Sequence, residues 1–203
     1  MFRFPTRTLL APALLSTVLA GCVSFGAKPP PQLLTIAPQK TIATGVDRTS
    51  VGTPRLAVRT PDVPRALATT RVPVQVNASS IAYVKDAQWA EAPRIMFLRL
   101  LVETIGADGV FVADADEYPV ASDRQLTGQL IAFGADARTG QAVVTFDASL
   151  NRAAPEGGEA QILRKRFTAS VPIGKISAER VAGPIGQAAN QVAAEVSAWV
   201  RAN

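Results

Sequence analysis

The sequence predicts an α+β fold: a mostly antiparallel sheet with two helices packed on one face. Apolar and polar residues alternate through the second half of the chain, which is typical of strands that bury one side. Two other segments, near residues 91–106 and 177–200, repeat apolar residues every three or four positions, which is typical of helices. The 203 residues are 48% hydrophobic and 18% charged, so the chain can form one domain with a substantial core.

Short strands are predicted in the first half of the chain, where apolar runs are closed by prolines or turn residues. These strands cover residues 33–37, 55–59, 72–76 and 81–84, with a turn at 77–80 between the last two. Residues 41–53 are polar and contain glycine, so they are predicted to form a loop or a weak hairpin.

The first helix is predicted to begin near Glu91 and Pro93, since proline suits a first turn and a carboxylate favours the positive end of a helix. Arg99 and Glu103 lie four residues apart on its polar side and are expected to pair weakly. Gly106 and Gly109 are expected to end it. Its predicted apolar face consists of Ile95, Leu98, Leu101, Val102 and Ile105.

A short strand at residues 110–112 is followed by three longer strands at 125–133, 142–150 and 162–171, which together suit an antiparallel meander. Turns are predicted at 138–141 and 155–158. The middle strand of the three has one apolar side, formed by Val144, Phe146, Ala148 and Leu150.

The last helix follows Ser177, a candidate cap. Gly183 and Pro184 interrupt its pattern, so the helix is predicted either to begin at Pro184 or to be kinked there. Its predicted buried face consists of Val181, Ile185, Ala188, Val192, Val196 and Trp199 or Val200.

The start of the chain has the features of an export signal. Arg3 and Arg7 precede a largely apolar run at residues 9–20. A run of about twelve residues is too short to cross a hydrocarbon core of about 30 Å, so a cleaved signal is predicted.

Cys22 is the only cysteine of the chain and directly follows this run. The sequence Leu19, Ala20, Gly21, Cys22 resembles the bacterial lipobox, and the alternative is a stray or buried cysteine. The resemblance implies a signal peptide at residues 1–21, a diacylglycerol and an N-acyl chain on Cys22, and a domain at 32–203. Val23 follows in place of aspartate, which by analogy with enteric lipoproteins favours the outer membrane, facing the periplasm.

Residues 22–31 are predicted to act as a tether, because three consecutive prolines at 29–31 favour an extended polyproline segment. Such a segment would hold the domain within about 30 Å of the bilayer, at roughly 3.1 Å per residue.

Composition removes several classes of function. The chain has no histidine, which excludes Ser-His-Asp and Cys-His systems and most zinc sites, and acylation would consume its one thiol. Loss of Arg3 and Arg7 with the signal lowers the net charge from +5 to +3, too little for a nucleic-acid footprint.

Two charged clusters remain, each with two interpretations. The basic triplet at 164–166 would bind an acidic partner or lipid headgroups, or would place Arg164 and Arg166 in solvent on an edge strand and suppress aggregation. The acidic cluster would bind calcium or supply an acid/base pair for a hydrolase, or would be a solvated loop. It consists of Asp114, Asp116, Glu117 and Asp123.

The segment from Tyr83 to Pro93, with its Trp-Ala-Glu-x-Pro stretch, carries a family resemblance. It resembles the ABC-type transport auxiliary lipoproteins, and the likeness continues through Leu126-x-Gly128-x-Leu130 to the alanine-rich last helix with Trp199.

This resemblance implies a non-catalytic, periplasm-facing lipoprotein that works with an MCE-domain protein and an ABC permease and ATPase in moving lipid between membranes. No cofactor or metal is expected beyond the acyl chains, and a homo-oligomer is left open. Expected partner contacts are Tyr83, Trp89, Glu91 and Pro93, with Trp89 alternatively a core residue. A lipid carrier with its own apolar cavity between helices and sheet is the second hypothesis.

Overall fold

The computed structural model describes residues 32–53, 55–114, 122, 124–152 and 159–203, with only the backbone of Asp114. The predicted signal, the lipobox, Cys22 and the tether lie outside these residues. So do the turn at 155–158 and three members of the acidic cluster, Asp116, Glu117 and Asp123.

Apart from a 3-10 turn at Arg65–Leu67, the regular structure of the described residues consists of seven strands and two α-helices, which confirms the α+β class. In chain order they are β1 (Arg55–Val58), β2 (Arg71–Asn77), β3 (Ser80–Gln88), α1 (Pro93–Ala107), β4 (Phe111–Asp114), β5 (Arg124–Asp136), β6 (Gln141–Arg152), β7 (Gln161–Pro172) and α2 (Ala178–Ala202).

All seven strands belong to one sheet built around the long strand β5. On one side β5 is antiparallel to β6 along its whole length, and β6 is antiparallel to β7. On the other side β1 joins β5 in parallel near residue 126 and β2 joins it in parallel near residue 135. β4 is parallel to β1, and β3 is antiparallel to β2. The predicted meander is therefore the spine of a mixed sheet whose long ladders are antiparallel.

The core lies between one face of this sheet and the two helices. The predicted alternation holds in β6, where Val144, Phe146, Ala148 and Leu150 are all buried. An irregularity of the β5–β6 register between Leu130 and Ala132 turns Phe133 toward the same face. There Phe133 makes edge-to-face ring contacts with Trp89 at 5.6 Å and with Phe97 at 6.5 Å between centroids.

Helix α2 presents the predicted face to the core. Val181, Ile185, Ala188, Val192, Val196 and Val200 are all 0% exposed, and Trp199 packs partly buried against this cluster. The helix begins at Ala178 and includes Pro184, so the prediction of a start at Pro184 was wrong. Proline is tolerated here because the carbonyl four residues before it belongs to Arg180, which is exposed to solvent in the first turn.

Two further predictions need correction. Residues 33–37 do not form a strand; one bridge joins Leu34 to Trp89, and the chain then crosses the helices. The buried face of α1 is wider than predicted, because the helix packs against α2 and the N-terminal segment as well as the sheet. It includes Met96, Phe97, Leu100 and Thr104 in addition to Leu98, Leu101 and Ile105. Of the predicted face, Ile95 and Val102 are only half-buried.

Candidate docking site

Residues 32–53, here called the strap, follow the predicted tether and precede β1. At its start, Leu34 donates to the Gln88 carbonyl and accepts from Ala90, both at 2.8 Å. The strap thus extends the edge of the sheet just beyond β3 before it crosses α2 and α1. No part of it is a strand or helix, as predicted for residues 41–53.

Asn190 of α2 holds the middle of the strap with both ends of its amide. Its Oδ1 accepts from the backbone N–H of Gln39 at 2.7 Å, and its Nδ2 donates to the carbonyl of Ala37 at 3.0 Å. Asn190 is 6% exposed, a buried polar residue inside an otherwise apolar helix face. These bonds, with a further one from Nδ2 to the carbonyl of Gly186 at 2.8 Å, offset the cost of burying the amide, because a buried amide without partners would be destabilising.

Asp108 joins the strap to the ends of both helices. Its carboxylate accepts from Lys40 of the strap at 2.7 Å and from the fully buried hydroxyl of Ser197 in α2 at 2.6 Å. The hydrogen bonds from Lys40 and Ser197 lower the pKa of Asp108 below its ordinary value, against a smaller effect of burial. The negative charge is thereby held at the junction of three elements.

The second half of the strap covers the C-terminal end of α1. Ile42 donates to Glu103 at 3.0 Å, and Arg48 donates to the carbonyls of Gly106 and Val110 at 3.0 and 2.7 Å. The carbonyl of Gly106 belongs to the last turn of α1, where a helix leaves carbonyls without intrahelical partners, and Val110 lies just beyond that turn. Glu103 is thus used by the strap, and the partner of Arg99 is Glu91 at the other end of the helix.

The four residues expected to contact a partner separate into two pairs. Trp89 is 0% exposed and Pro93 is buried in the first turn of α1, so these two lie in the core. Tyr83 and Glu91 are half-buried. The ring of Tyr83 lies 3.8 Å below the guanidinium of Arg71, and Glu91 pairs with Arg99.

The sheet face opposite the helices carries a polar groove of about 830 Å³. Arg166 of β7 forms a double hydrogen bond with Asp147 of β6, which lowers the pKa of Asp147. Arg164 is also exposed at this groove, which confirms the predicted orientation of both arginines. Hydroxyls of Thr127 and Ser149 line its floor.

A smaller apolar groove of about 230 Å³ lies on the same face near the irregularity in β5. Ile131 forms its floor, and Pro64, Leu67, Pro73 and Ile81 line it. The space between helices and sheet, where a carrier cavity was predicted, is filled by the aromatic and aliphatic core. Apolar volume is therefore available at the surface of the sheet.

Within the described ranges no group of three or more acidic, histidine or cysteine side chains is placed to hold a metal ion. The backbone of Asp114 ends β4, and the rest of the acidic cluster lies outside those ranges. Neither helix of the described part is apolar over a length that could span a bilayer.

The sequence model of the family described as "ABC-type transport auxiliary lipoprotein component" matches residues 32–197. The chain belongs to this family. The match begins at the first residue of the strap and ends in the last turns of α2, so the strap is part of the family's domain. No curated protein matches the chain significantly.

Two solved structures have a fold similar to that of this chain. A Xanthomonas campestris protein of the DUF330 family is 20% identical, with a TM-score of 0.67 over 83% of this chain and 94% of that chain. A second, uncharacterised protein is 21% identical, with a TM-score of 0.56 over 72% of this chain and 89% of that chain.

Sequence reasoning missed Asn190 and Asp108, the residues that hold the strap. The available signal for Asn190 was that this polar residue directly follows Ala188 and Ala189 in the apolar pattern of α2. Asp108 offered no comparable signal, because its partners are far away in the sequence.

Proposed function

We propose that this auxiliary component is anchored to a membrane through acyl chains on Cys22 and acts in the periplasm by docking, without catalysis. The strap is the observation that carries the proposal. The strap follows the proposed membrane tether and is hydrogen-bonded to β3, α2 and the C-terminal end of α1 in succession. A force on the anchor would therefore be transmitted to the folded core.

The finer identity of the partners follows from the family resemblance. An MCE-domain protein, with its ABC permease and ATPase, would be the assembly that this domain holds at the outer membrane for movement of lipid between membranes. The structure supports docking better than lipid binding by this domain. The space between helices and sheet is occupied by the core, and the apolar groove of about 230 Å³ is smaller than the roughly 300–1,000 Å³ typical of ligand pockets.

Co-purification from the native membrane tests this function. Full-length tagged chain, extracted in mild detergent, should enrich an MCE-domain protein and an ABC permease over an untagged strain. A matched strain that produces the Cys22→Ala chain should lose most of this enrichment, because the body is no longer concentrated at the membrane. Enrichment of neither component by the wild-type chain would contradict the proposal.

A further inference from the structure

Strand β7 is the long open edge of the described sheet. It pairs with β6 and with no other described strand, and its twelve residues are in continuous register. The other two edges are blunted: β4 has four residues, and β3 is interrupted by a bulge in which Asp86 has a positive φ of 57°. A long regular edge is a template for pairing with another extended chain.

The direction of the unpaired backbone groups follows from the end of the ladder. Ile173 donates to the carbonyl of Gly140 at 2.9 Å, and the two are directly opposite because Gln141 pairs with Pro172. Alternate residues of an antiparallel strand bond to the same neighbour, so odd-numbered residues of β7 bond to β6. The residues whose N–H and C=O point away from β6 are Ile162, Arg164, Arg166, Thr168 and Ser170.

Pro172 falls in the same outward set, which is consistent because a proline has no N–H to lose at an edge. Its position ends the row of outward donors at Ser170. Thr168 and Ser170 are exposed and uncharged, so this half of the edge can pair through its backbone without a charge penalty.

The basic side chains of β7 favour an acidic partner. Arg164 and Arg166 lie on the outer face at outward positions, and Arg164 makes no ion pair with any described residue. An added strand would place every second side chain beside these arginines, where carboxylates are favoured. Its other side chains would lie on the inner face, near Lys165, which sits 5.1 Å above the ring of Phe167. Two β7 edges from two copies would bring like charges together if they paired about Lys165 or Arg166.

We propose that the β7 edge binds an extended acidic segment of a partner protein, which adds as a further strand with carboxylates at alternate positions. This deepens the proposed docking function by naming the surface and the chemistry of what binds there, and it rests on that function.

Peptide binding to the full-length chain in detergent micelles tests the proposal. The probe is a fluorescent peptide, Thr-Glu-Val-Glu-Val-Thr-Val, and the controls replace both glutamates with lysine or N-methylate the amides that would face β7. Anisotropy should show binding of the probe that weakens with salt, and at least about tenfold weaker binding of either control. Equal binding of the N-methylated peptide would overturn strand addition.

Variants of the chain make the test specific. Arg164→Glu should weaken the probe about tenfold, whereas Arg94→Glu, the same charge change at an exposed position of α1, should change binding by less than about twofold. Thr168→Pro removes an outward N–H and leaves the bonds to β6, so it should also weaken binding at least about tenfold. Equal effects of Arg164→Glu and Arg94→Glu would overturn the proposal, even if Thr168→Pro failed to fold.

Hydrogen exchange supplies a readout with a fixed pattern. Bound probe should protect the amides of Arg166, Thr168 and Ser170 and leave those of Lys165 and Phe167 unchanged. Equal protection of the outward and inward amides would overturn the proposed strand addition. A cross-linked dimer of the chain that Thr168→Pro abolishes would also overturn it, because the edge would then bind a second copy. If the peptide did not bind but the MCE-domain protein and permease still co-purified, the β7 edge would be rejected as the binding surface and the proposed function would stand. If the peptide bound but neither component co-purified, the proposed ABC partnership would be rejected and the β7 edge would stand.

Discussion

Replacement of Asn190 by leucine should release the middle of the strap while α2 stays folded. Leucine has the same branched arrangement of side-chain heavy atoms but cannot bond to Gln39 or Ala37. Each of these two hydrogen bonds contributes about 0.5–1.5 kcal/mol net, so the loss should be about 1–3 kcal/mol. The higher penalty for buried unsatisfied groups does not apply, because both strap residues are exposed and their backbone groups can be hydrated once the strap lifts.

Urea denaturation and hydrogen exchange of the full-length chain measure this effect. The matched control is Gln191→Leu, which also replaces a side-chain amide with leucine, one residue later at an exposed position of the same helix. We expect the midpoint to fall for Asn190→Leu and the Gln39 amide to exchange faster, with little change for the control. If the two variants differed by less than about 0.5 kcal/mol and the Gln39 amide stayed protected, the strap would not be held by Asn190.

Two further predictions concern stability. The hydrogen bond from Lys40 lowers the pKa of Asp108 in the folded state below 3.8. The ionised carboxylate therefore adds its full contribution to the free energy of unfolding above about pH 4, and this contribution is lost as the pH falls through the pKa of the folded state. Asp108→Asn should therefore cost about 1 kcal/mol at pH 7 in chemical denaturation, and less below pH 3.8; a constant difference would contradict this. Gly128→Ala should cost about 1–3 kcal/mol in thermal unfolding, since a Cβ there would overlap the backbone carbonyl of Asp147 and lie 2.6 Å from the ring of Phe146. Gly186→Ala in α2, where a Cβ would meet only the side chain of Ile36 at an ordinary contact distance of 3.4 Å, should be neutral or stabilising by up to about 1 kcal/mol, and equal behaviour of the two variants would refute the packing argument.

The meander and α2 were predictable because their burial is one-sided. In β6 and in α2 the apolar residues recur with the period of the element, so the pattern identifies both the element and its buried face. Helix α1 was predicted with too narrow a face because it is covered on several sides, and Phe97 and Leu100 lie off the single stripe that periodicity selects.

Long-range contacts account for what sequence could not give. The apolar run at 33–37 suggested a strand, but among the described residues its only ladder partner is Trp89, and Pro38 follows at once, so the chain continues as the strap. The placement of β1 and β2 in parallel beside β5 depends on contacts far apart in sequence. The open edge of β7 is likewise a property of strand order, although its alternation and its arginines were predictable.

Fractionation of cells that produce the full-length chain tests the central claim most directly. The wild-type chain should sediment with the outer membrane after a high-salt wash, with an intact mass that starts at Cys22 and includes acyl chains. Cys22→Ala should appear in the soluble fraction, and Val23→Asp should move to the inner membrane. An unmodified thiol on the wild-type chain, or retention of Cys22→Ala in the outer membrane, would contradict the account.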